Sequence, residues 1–310
     1  MPQLLSRKRL LLAKIESTYG VDASPTSSDA VLVRSLDITP QQSDVVQREL
    51  IRPYLGNYEM LLGNTRVEIT FEVELAGSGA AGTAPKYSTL LKACGMSETI
   101  VASTSCTYAP VSGSFSSATL YFFNDTVKHV VTGARGTFEI NAVTAQIPTI
   151  KFTMTGIYTG PVDASAPAVT YTAPTPVIFK NGNTSGFQLY SYSGALQSVS
   201  LVCGNSITYR ELVGGTKQVL MTDRKATGTC VIEAPSIATK DFFTAAMSTA
   251  NGNLAVTHGT TSGNIVAIAA NQVDIGMLTY SDLNGIQMLN LPLSYTPTTA
   301  GNDEFSIVVQ

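Results

Sequence analysis

The sequence predicts a mainly β protein made of two tandem β-domains of the sandwich or barrel type, each flanked by one short α-helix. Charged residues make up only 13% of the 310 residues, and Ser, Thr, Gly, Ala and Val dominate. This bias is typical of strands and turns. Apolar and polar residues alternate in several short segments, and a set of motifs occurs twice in the same order. These three observations determine the predicted fold class.

The alternating segments are the predicted strands. In the segment 67–74, four apolar residues alternate with Glu68, Thr70, Glu72 and Glu74. This period of two predicts a half-buried strand with one wet face. Similar patterns recur at 118–123, 136–140, 149–154, 198–202, 228–233, 265–268, 272–275 and 287–291. The best helical signals are 84–94 and 237–247, one in each half, the second with Thr239 as a possible cap.

The two halves of the chain share an order of motifs. The matched segments are 35–38 with 198–201, 48–50 with 210–212, 66–74 with 225–233, 86–93 with 239–246, and 158–160 with 295–297. Each match is weak alone, but their common order indicates a tandem duplication.

The length also favours two domains, because single cores seldom grow beyond about 250 to 300 residues. We divide the chain into an N-terminal arm (1–30), a first β-domain (31–160), a linker (161–190) and a second β-domain (191–310). The linker contains four prolines and almost no periodicity. The arm has too few periodic apolar residues to fold alone, so we expect it to order on a neighbouring molecule.

Charge and hydropathy exclude several classes of protein. Lys14 and Glu16 interrupt the apolar run after Arg7–Arg9, so no export signal is predicted. No apolar run approaches the about 18 to 20 residues of a membrane-spanning helix, so no membrane partner is predicted. Four of the 19 basic residues lie in the first 14 positions, which leaves 15 basic and 22 acidic residues beyond them. An acidic body is not typical of a protein that grips DNA.

The motif most indicative of chemistry is Gly77–Gly82, a GxGxxG sequence with Glu98 about 20 residues further on. The strand before it alternates with charged residues, whereas the first strand of a dinucleotide-binding fold is almost wholly apolar. Pro85 places the helix start beyond the last glycine, away from a bound pyrophosphate. The second half has Ala234–Ala238 at this place. We therefore interpret the glycines as a flexible loop insertion and predict no cofactor.

No catalytic or metal site is predicted either. His129 and His258 lie in different halves, with no metal ligand at a suitable spacing. Glu72 and Glu74 share a face of their strand, but Glu68 continues that face, which favours a solvated acidic stripe over the paired carboxylates of a glycosidase. The four cysteines form no CxxC pair and are interpreted as buried free thiols: Cys94, Cys106, Cys203 and Cys230.

A further series of motifs begins at Leu12–Gly20, followed by Pro25-Thr26. The others are 33–40, 52–56, 71–79, 91–95 and 132–136 in the first half, and 209–215, 220–225, 238–243 and 257–261 in the second. In these motifs the sequence resembles the major tail tube proteins of long-tailed, non-contractile bacteriophages (siphophages), in their two-domain form. The resemblance covers nearly the whole chain. It implies two packed β-sheets with a flanking helix in each domain, and a structural virion protein rather than an enzyme.

The resemblance also implies a mode of assembly. Rings stack into a hollow tube through which DNA is ejected into the host without specific binding. Single-domain relatives form rings of six, so two fused domains imply a pseudo-hexamer of three chains. The implied partners are other copies of this chain, the tape measure protein, the tail terminator and the distal tail or baseplate proteins. The implied location is the virion tail, assembled in the host bacterial cytoplasm.

Two sets of residues are expected to serve that assembly. The turn-rich loops 51–64 and 213–223 are rich in apolar residues that need a partner surface. They supply the ring-stacking candidates Tyr54, Leu55, Tyr58, Met60, Leu61, Leu62, Val219, Leu220 and Met221; alternatively, these residues cover their own core. An acidic lumen would repel the DNA backbone. The lumen candidates are Glu68, Glu72, Glu74, Glu139 and Asp274.

Two other functions remain open at this point. A secreted two-domain β-sandwich adhesin or carbohydrate-binding module would need an export signal and usually exposes aromatic residues, yet the chain has no Trp. An enzyme with an unrecognised site would need titratable residues that converge in a pocket.

Overall fold

A computed structural model describes residues 3–310, so Met1 and Pro2 of the predicted arm lie outside the described residues. It confirms the mainly β class, with 52% of residues in strands. The strands of the first half are β1 (Arg9–Ile15), β2 (Ala30–Val31), β3 (Ser35–Gln47), β4 (Met60–Glu74), β5 (Met96–Val101), β6 (Ser105–Pro110), β7 (Ala118–Asn124), β8 (Val127–Val143) and β9 (Thr149–Asp163).

The second half has a similar set of elements. Its strands are β10 (Thr184–Leu189), β11 (Leu196–Val202), β12 (Asn205–Arg210), β13 (Gln218–Arg224), β14 (Thr227–Glu233), β15 (Gly252–His258), β16 (Val266–Ile275), β17 (Thr279–Leu283), β18 (Ile286–Tyr295) and β19 (Ser306–Val309). The helices are α1 (Ser88–Ala93), α2 (Phe242–Ala246) and a single 3₁₀ turn, Ser27–Asp29.

Both α-helices lie within the predicted segments but are shorter. Helix α1 is followed by Gly95, whose φ of +78° is the left-handed conformation that commonly ends a helix. Helix α2 is capped by Asp241, whose side chain accepts a hydrogen bond from the Thr244 amide, and not by Thr239.

Strand pairing shows the duplication directly. Strand β4 lies between β3 and β9, and β14 lies between β11 and β18. The residues opposite one another are Leu36, Phe71 and Phe152 in the first half and Val199, Cys230 and Leu291 in the second. This register reproduces the match of 35–38 with 198–201 and of 66–74 with 225–233.

The match of Tyr158 with Tyr295 is wrong by two residues. Tyr295 donates its amide to the Ala226 carbonyl, whereas Gly156 lies opposite Val67, the counterpart of Ala226. Gly156 is therefore the counterpart of Tyr295.

One sheet runs through both halves, and we call it the inner sheet. Its order is β3, β4, β9 and β8 from the first half, then β11, β14, β18 and β17 from the second. Strands β8 and β11 join the halves through residues 139–143 and 198–202. Within the described residues, β3 pairs only with β4 and β17 only with β18, so the inner sheet ends in two open edges.

The N-terminal segment is part of the fold. Strand β1 pairs with β7 along its whole length; in the second half β10 pairs with β15, with an irregularity between Ser185 and Gln188. Leu10 to Ala13 are all buried, Leu11 and Ala13 in the main core and Leu10 and Leu12 on the opposite side of the strand. The prediction that this segment orders only on a neighbour is wrong for β1 and β2, because β1 is covered on both faces within the chain.

A second contact joins the halves through the hairpin β5–β6, which has no counterpart after α2. Strand β19 pairs with β6 on one side and β16 on the other. The core is continuous across the halves, so the boundaries proposed for two domains and a linker stay a prediction.

The glycine motif also lies at this contact. The Gly79 amide donates to the Gly263 carbonyl at 2.9 Å. A Cβ on Gly77 would lie 2.0 Å from that same carbonyl oxygen, and a Cβ on Gly82 would lie 2.3 Å from the Ser103 nitrogen. The interpretation of a flexible loop is therefore wrong: Gly77 and Gly79 allow close backbone packing between the halves, and Gly82 allows it against the turn between β5 and β6.

Candidate functional site

The hairpin β12–β13 of the second half is seated on the first half. The Asn205 side chain, 8% exposed, donates to the Cys94 carbonyl at 2.7 Å and to the Gly136 carbonyl at 2.9 Å. Cys94 follows α1, and Gly136 lies in the middle of β8. Asn205 thus satisfies two backbone groups on the two walls of one groove.

Two apolar residues of the hairpin fill the rest of that groove. Val219 is fully buried; its amide donates to the Tyr19 hydroxyl, and its carbonyl accepts from the Arg135 guanidinium at 2.9 Å. The Met221 sulfur lies where a side chain on Gly95 would reach, 2.8 Å from an ideal Cβ. The glycine that ends α1 therefore also makes room for the hairpin.

Polar groups fix the edges of this contact between the β12–β13 hairpin and the first half. Arg135 also donates to the Phe115 carbonyl at 2.8 Å, and its guanidinium lies 4.8 Å from the centre of the Tyr19 ring. Burial raises the pKa of Tyr19 above its ordinary value, which keeps the phenol neutral. On the other side, Arg224 donates to Glu304 at 2.7 Å and to the Val111 carbonyl at 2.7 Å.

The ring-stacking candidates separate into two groups. Val219 is buried inside the chain, so its prediction as a surface residue is wrong; Leu220 and Met221 are partly buried. The first-half candidates lie in or next to the loop between β3 and β4, where Arg52 stacks on Tyr54 and Tyr58 at 4.7 and 4.2 Å. Apart from Tyr58, which is half-buried, these are exposed: Tyr54, Leu55, Met60, Leu61 and Leu62.

Four of the five lumen candidates share one face. Glu68, Glu72 and Glu74 lie on the solvent side of β4, and Glu139 lies on the same side of β8. Lys151 of β9 lies between Glu72 and Glu139 in the register of the sheet. Asp274 lies apart from them on β16, opposite Ser294 of β18.

Two carboxylates of this face were missed from the sequence. Asp37 of β3 lies opposite Thr70, and Glu233 of β14 is the counterpart of Glu74. The alternation of β14 and its match to β4 in the sequence could have identified Glu233.

In the described part of the chain, no group of three or more His, Cys, Asp or Glu residues is placed to hold a metal ion. His258 contacts the Thr184 hydroxyl at 3.0 Å and the Val177 carbonyl at 3.1 Å, and burial lowers its pKa. All four cysteines are free and buried. Neither described α-helix is long and apolar enough to cross a membrane.

Glu98, the carboxylate that follows the glycine motif, holds α1 against the hairpin β5–β6. It accepts hydrogen bonds from the Ser88 hydroxyl, from Lys92 at 2.9 Å and from the Tyr108 hydroxyl at 3.0 Å. Partial burial alone would raise the pKa of Glu98, but these bonds outweigh it and place the pKa below its ordinary value.

This lowered pKa predicts a loss of stability in acid. A carboxylate with a lower pKa in the folded state stabilises the fold above its unfolded pKa of 4.5, and this contribution disappears as the pH falls through the folded value. We expect urea midpoints measured at about pH 7 and about pH 3.5 to differ more for the native chain than for Glu98→Gln. An equal difference in both proteins would contradict this role of Glu98.

The sequence was also compared with known protein families. The sequence model of the family described as phage tail tube protein matches residues 6–302, nearly the whole chain. The chain belongs to the phage tail tube protein family. A search of curated proteins finds no match. The resemblance recognised in the sequence is thereby confirmed at the level of the tail tube family.

Family membership decides the class of function. Phage tail tube proteins are structural and not enzymatic, so this tail tube protein is a component of the virion tail that assembles with itself into a tube. This argues against both the secreted adhesin or carbohydrate-binding module and the unrecognised enzyme.

Proposed function

We propose that this tail tube protein forms rings of three chains, which stack into the hollow tube of a siphophage tail through which DNA is ejected. The observation that carries the proposal is the inner sheet. Its two open edges, β3 and β17, are the repeat counterparts of β11 and β8, the two strands that join the halves. Each chain thus contains one paired joint, β8 with β11, and the two unpaired edge strands of an equivalent joint, β17 and β3.

The repeat gives the register of the missing joint. Ile140 lies opposite Ile150 of β9, and Tyr280 lies opposite Leu289 of β18, the counterpart of Ile150. Tyr280 is therefore the counterpart of Ile140. The register of β8 with β11 has five pairs. Transferred to β17 and β3 of the next chain, it pairs Thr279 with Thr39, Tyr280 with Ile38, Ser281 with Asp37, Asp282 with Leu36, and Leu283 with Ser35.

Closure of the ring has a physical reason. An open sheet edge presents unpaired backbone amides and carbonyls, and pairing β17 with β3 of the next chain satisfies both edges at once. Three chains supply six repeats, the number implied by the resemblance to single-domain relatives.

The acidic face of the inner sheet would line the bore. Glu68, Glu72, Glu74 and Glu139 all lie on its solvent side, and Asp274 is retained as a candidate beside it. Repeated around a ring, these carboxylates repel phosphate and raise the cost of contact with DNA. DNA then passes through without being held.

Stacking of rings is assigned to the loop between β3 and β4. Arg52 stacks there on the exposed Tyr54 and the half-buried Tyr58, Leu55 is fully exposed, and Leu61 follows on β4. In the assembled tail the tape measure protein would occupy the bore. The tail terminator and the distal tail or baseplate proteins would bind the two ends. Assembly would take place in the host bacterial cytoplasm.

A disulfide across the new joint tests the ring. In the double variant Asp37→Cys, Ser281→Cys, oxidation is expected to link chains to one another, up to a closed trimer on a non-reducing gel, because opposite residues of paired antiparallel strands lie within reach of a disulfide. Asn141→Cys, Ser200→Cys is the matched control, since this pair lies at the joint inside one chain and should link without forming multimers. Rings and tubes should be visible by negative-stain microscopy. Chains that stay monomeric at high concentration and form no interchain disulfide would refute the ring.

A further inference from the structure

We propose that the hairpin of β3 and β4 in one chain docks, within the same ring, into an apolar groove on the second half of the preceding chain, whose β17 pairs with that β3. Met60 and Leu62 are inserted into the groove. This inference rests on the proposed ring and names a second contact that the ring requires beside the β17–β3 pairing. The partner is a second copy of this chain.

The groove lies between the end of α2 and the connection from β16 to β17. It has a volume of about 460 Å³ and includes Phe243, Ala246, Met247, Gly276 and Met277. Met247 and Met277 are each 83% exposed. So much apolar surface around one concavity is typical of an interaction site.

The first half contains the counterpart of this groove, and there it is filled. This counterpart lies between the end of α1 and the middle of β8. Gly136 of β8 pairs with Met154, and Ile275 of β16 pairs with Leu293, which is the counterpart of Met154. The β12–β13 hairpin occupies it, with Asn205 and Met221 against its walls. The fold thus shows what kind of element this groove accepts.

The β3–β4 hairpin is the repeat counterpart of that element. Met60 pairs with Gln47 and Leu62 with Val45. Val219 pairs with Tyr209 and Met221 with Ile207. The shared Arg-Glu-Leu sequence at the ends of β3 and β12 aligns the two hairpins, at 48–50 and 210–212. Met60 is then the counterpart of Val219, and Leu62 is the counterpart of Met221.

The β3–β4 and β12–β13 hairpins differ in the exposure of their equivalent residues. Val219 is fully buried, whereas Met60 and Leu62 are 64% and 56% exposed. The hairpin that has a preceding half in its own chain is seated, and the hairpin that lacks one leaves its apolar face uncovered. Methionine side chains on both sides of the proposed contact can adapt to an irregular gap. Residues alternate across a strand, so Leu61 points to the other face and stays available for stacking.

Crosslinking between separately tagged chains tests the docking. Leu62→Cys in one chain and Met247→Cys in the other should be joined by a short bismaleimide. Met221, the counterpart of Leu62, lies beside the end of α1, and Met247 lies at the equivalent end of α2. The matched control is Leu61→Cys with Met247→Cys, for which we expect at least about tenfold less product. The native cysteines are buried, so the native chain should give no product. All three replaced side chains are exposed, so the variants should fold.

The outcomes separate the docking from the ring. Rings that form the Asp37–Ser281 disulfide but show no Leu62–Met247 crosslink would overturn the docking and leave the ring intact. Equal crosslinking of Leu61 and Leu62 would overturn the assigned face. If neither the disulfide nor the crosslink forms and no rings are seen, both the docking and the proposed function fail.

Discussion

Replacing Tyr280 by Asp is expected to abolish ring and tube formation while the chain remains folded. Tyr280 is 57% exposed on the open edge strand β17, and its ring lies 5.9 Å from that of Phe243. Its loss therefore removes little from the core of an isolated chain.

The effect on assembly follows from the joint inside the chain. Ile140, the counterpart of Tyr280, and Leu201, which lies opposite it, are each only 1% exposed. The equivalent position between chains is thus expected to be buried in the ring. Burial of a large apolar side chain contributes about 1.5 to 3 kcal/mol, and an unpaired carboxylate there adds a desolvation cost. At about 3 kcal/mol per joint, the critical concentration for assembly rises on the order of 100-fold.

Light scattering against protein concentration measures this change, and urea unfolding checks that the chain is still folded. Tyr280→Phe is the matched control; because the counterpart Ile140 has no polar group, the hydroxyl should be dispensable and assembly unchanged. A Tyr280→Asp chain that polymerises at the native concentration would remove β17 from the ring joint.

The period of two and the repeat predicted most of the inner sheet, because the strands between its two edges have one buried and one wet face. The same pattern failed for β1. Leu10 to Ala13 are buried on both faces and do not alternate, and the counterpart strand β10 has the different sequence Thr-Ser-Gly-Phe-Gln-Leu. Neither signal could identify β1 as a strand of the first half.

The contact of the β12–β13 hairpin with the first half could not be predicted from the sequence. Val219 and Met60 occupy equivalent places in the repeat, and both follow turn-rich loops. Their environments differ only because the second half is preceded in the chain by a copy of the fold that receives its hairpin. In the same way, the glycines at 77 and 82 are required by backbone groups distant in sequence, at Gly263 and Ser103. Local patterns contain no information on such contacts.

This difference between equivalent residues gives the second large prediction. Val219→Asp is expected to lower the free energy of unfolding by about 4 kcal/mol, because it places an unpaired charge in a fully buried site. Met60→Asp makes the same chemical change at the counterpart position, which is 64% exposed. There we expect the stability of the single chain to change by about 0.5 kcal/mol at most, whereas ring formation is lost.

The pair of variants separates folding from assembly at one position of the repeat. Urea unfolding of dilute, monomeric protein measures the first effect, and light scattering or microscopy at high concentration measures the second. Met60→Ala and Val219→Ala serve as controls without charge, and should show weaker forms of the same two effects. If Met60→Asp assembles normally while Val219→Asp is strongly destabilised, the two hairpins are seated differently. The contact between chains then does not repeat the contact within one, because a joint that does repeat would bury Met60 as completely as Val219.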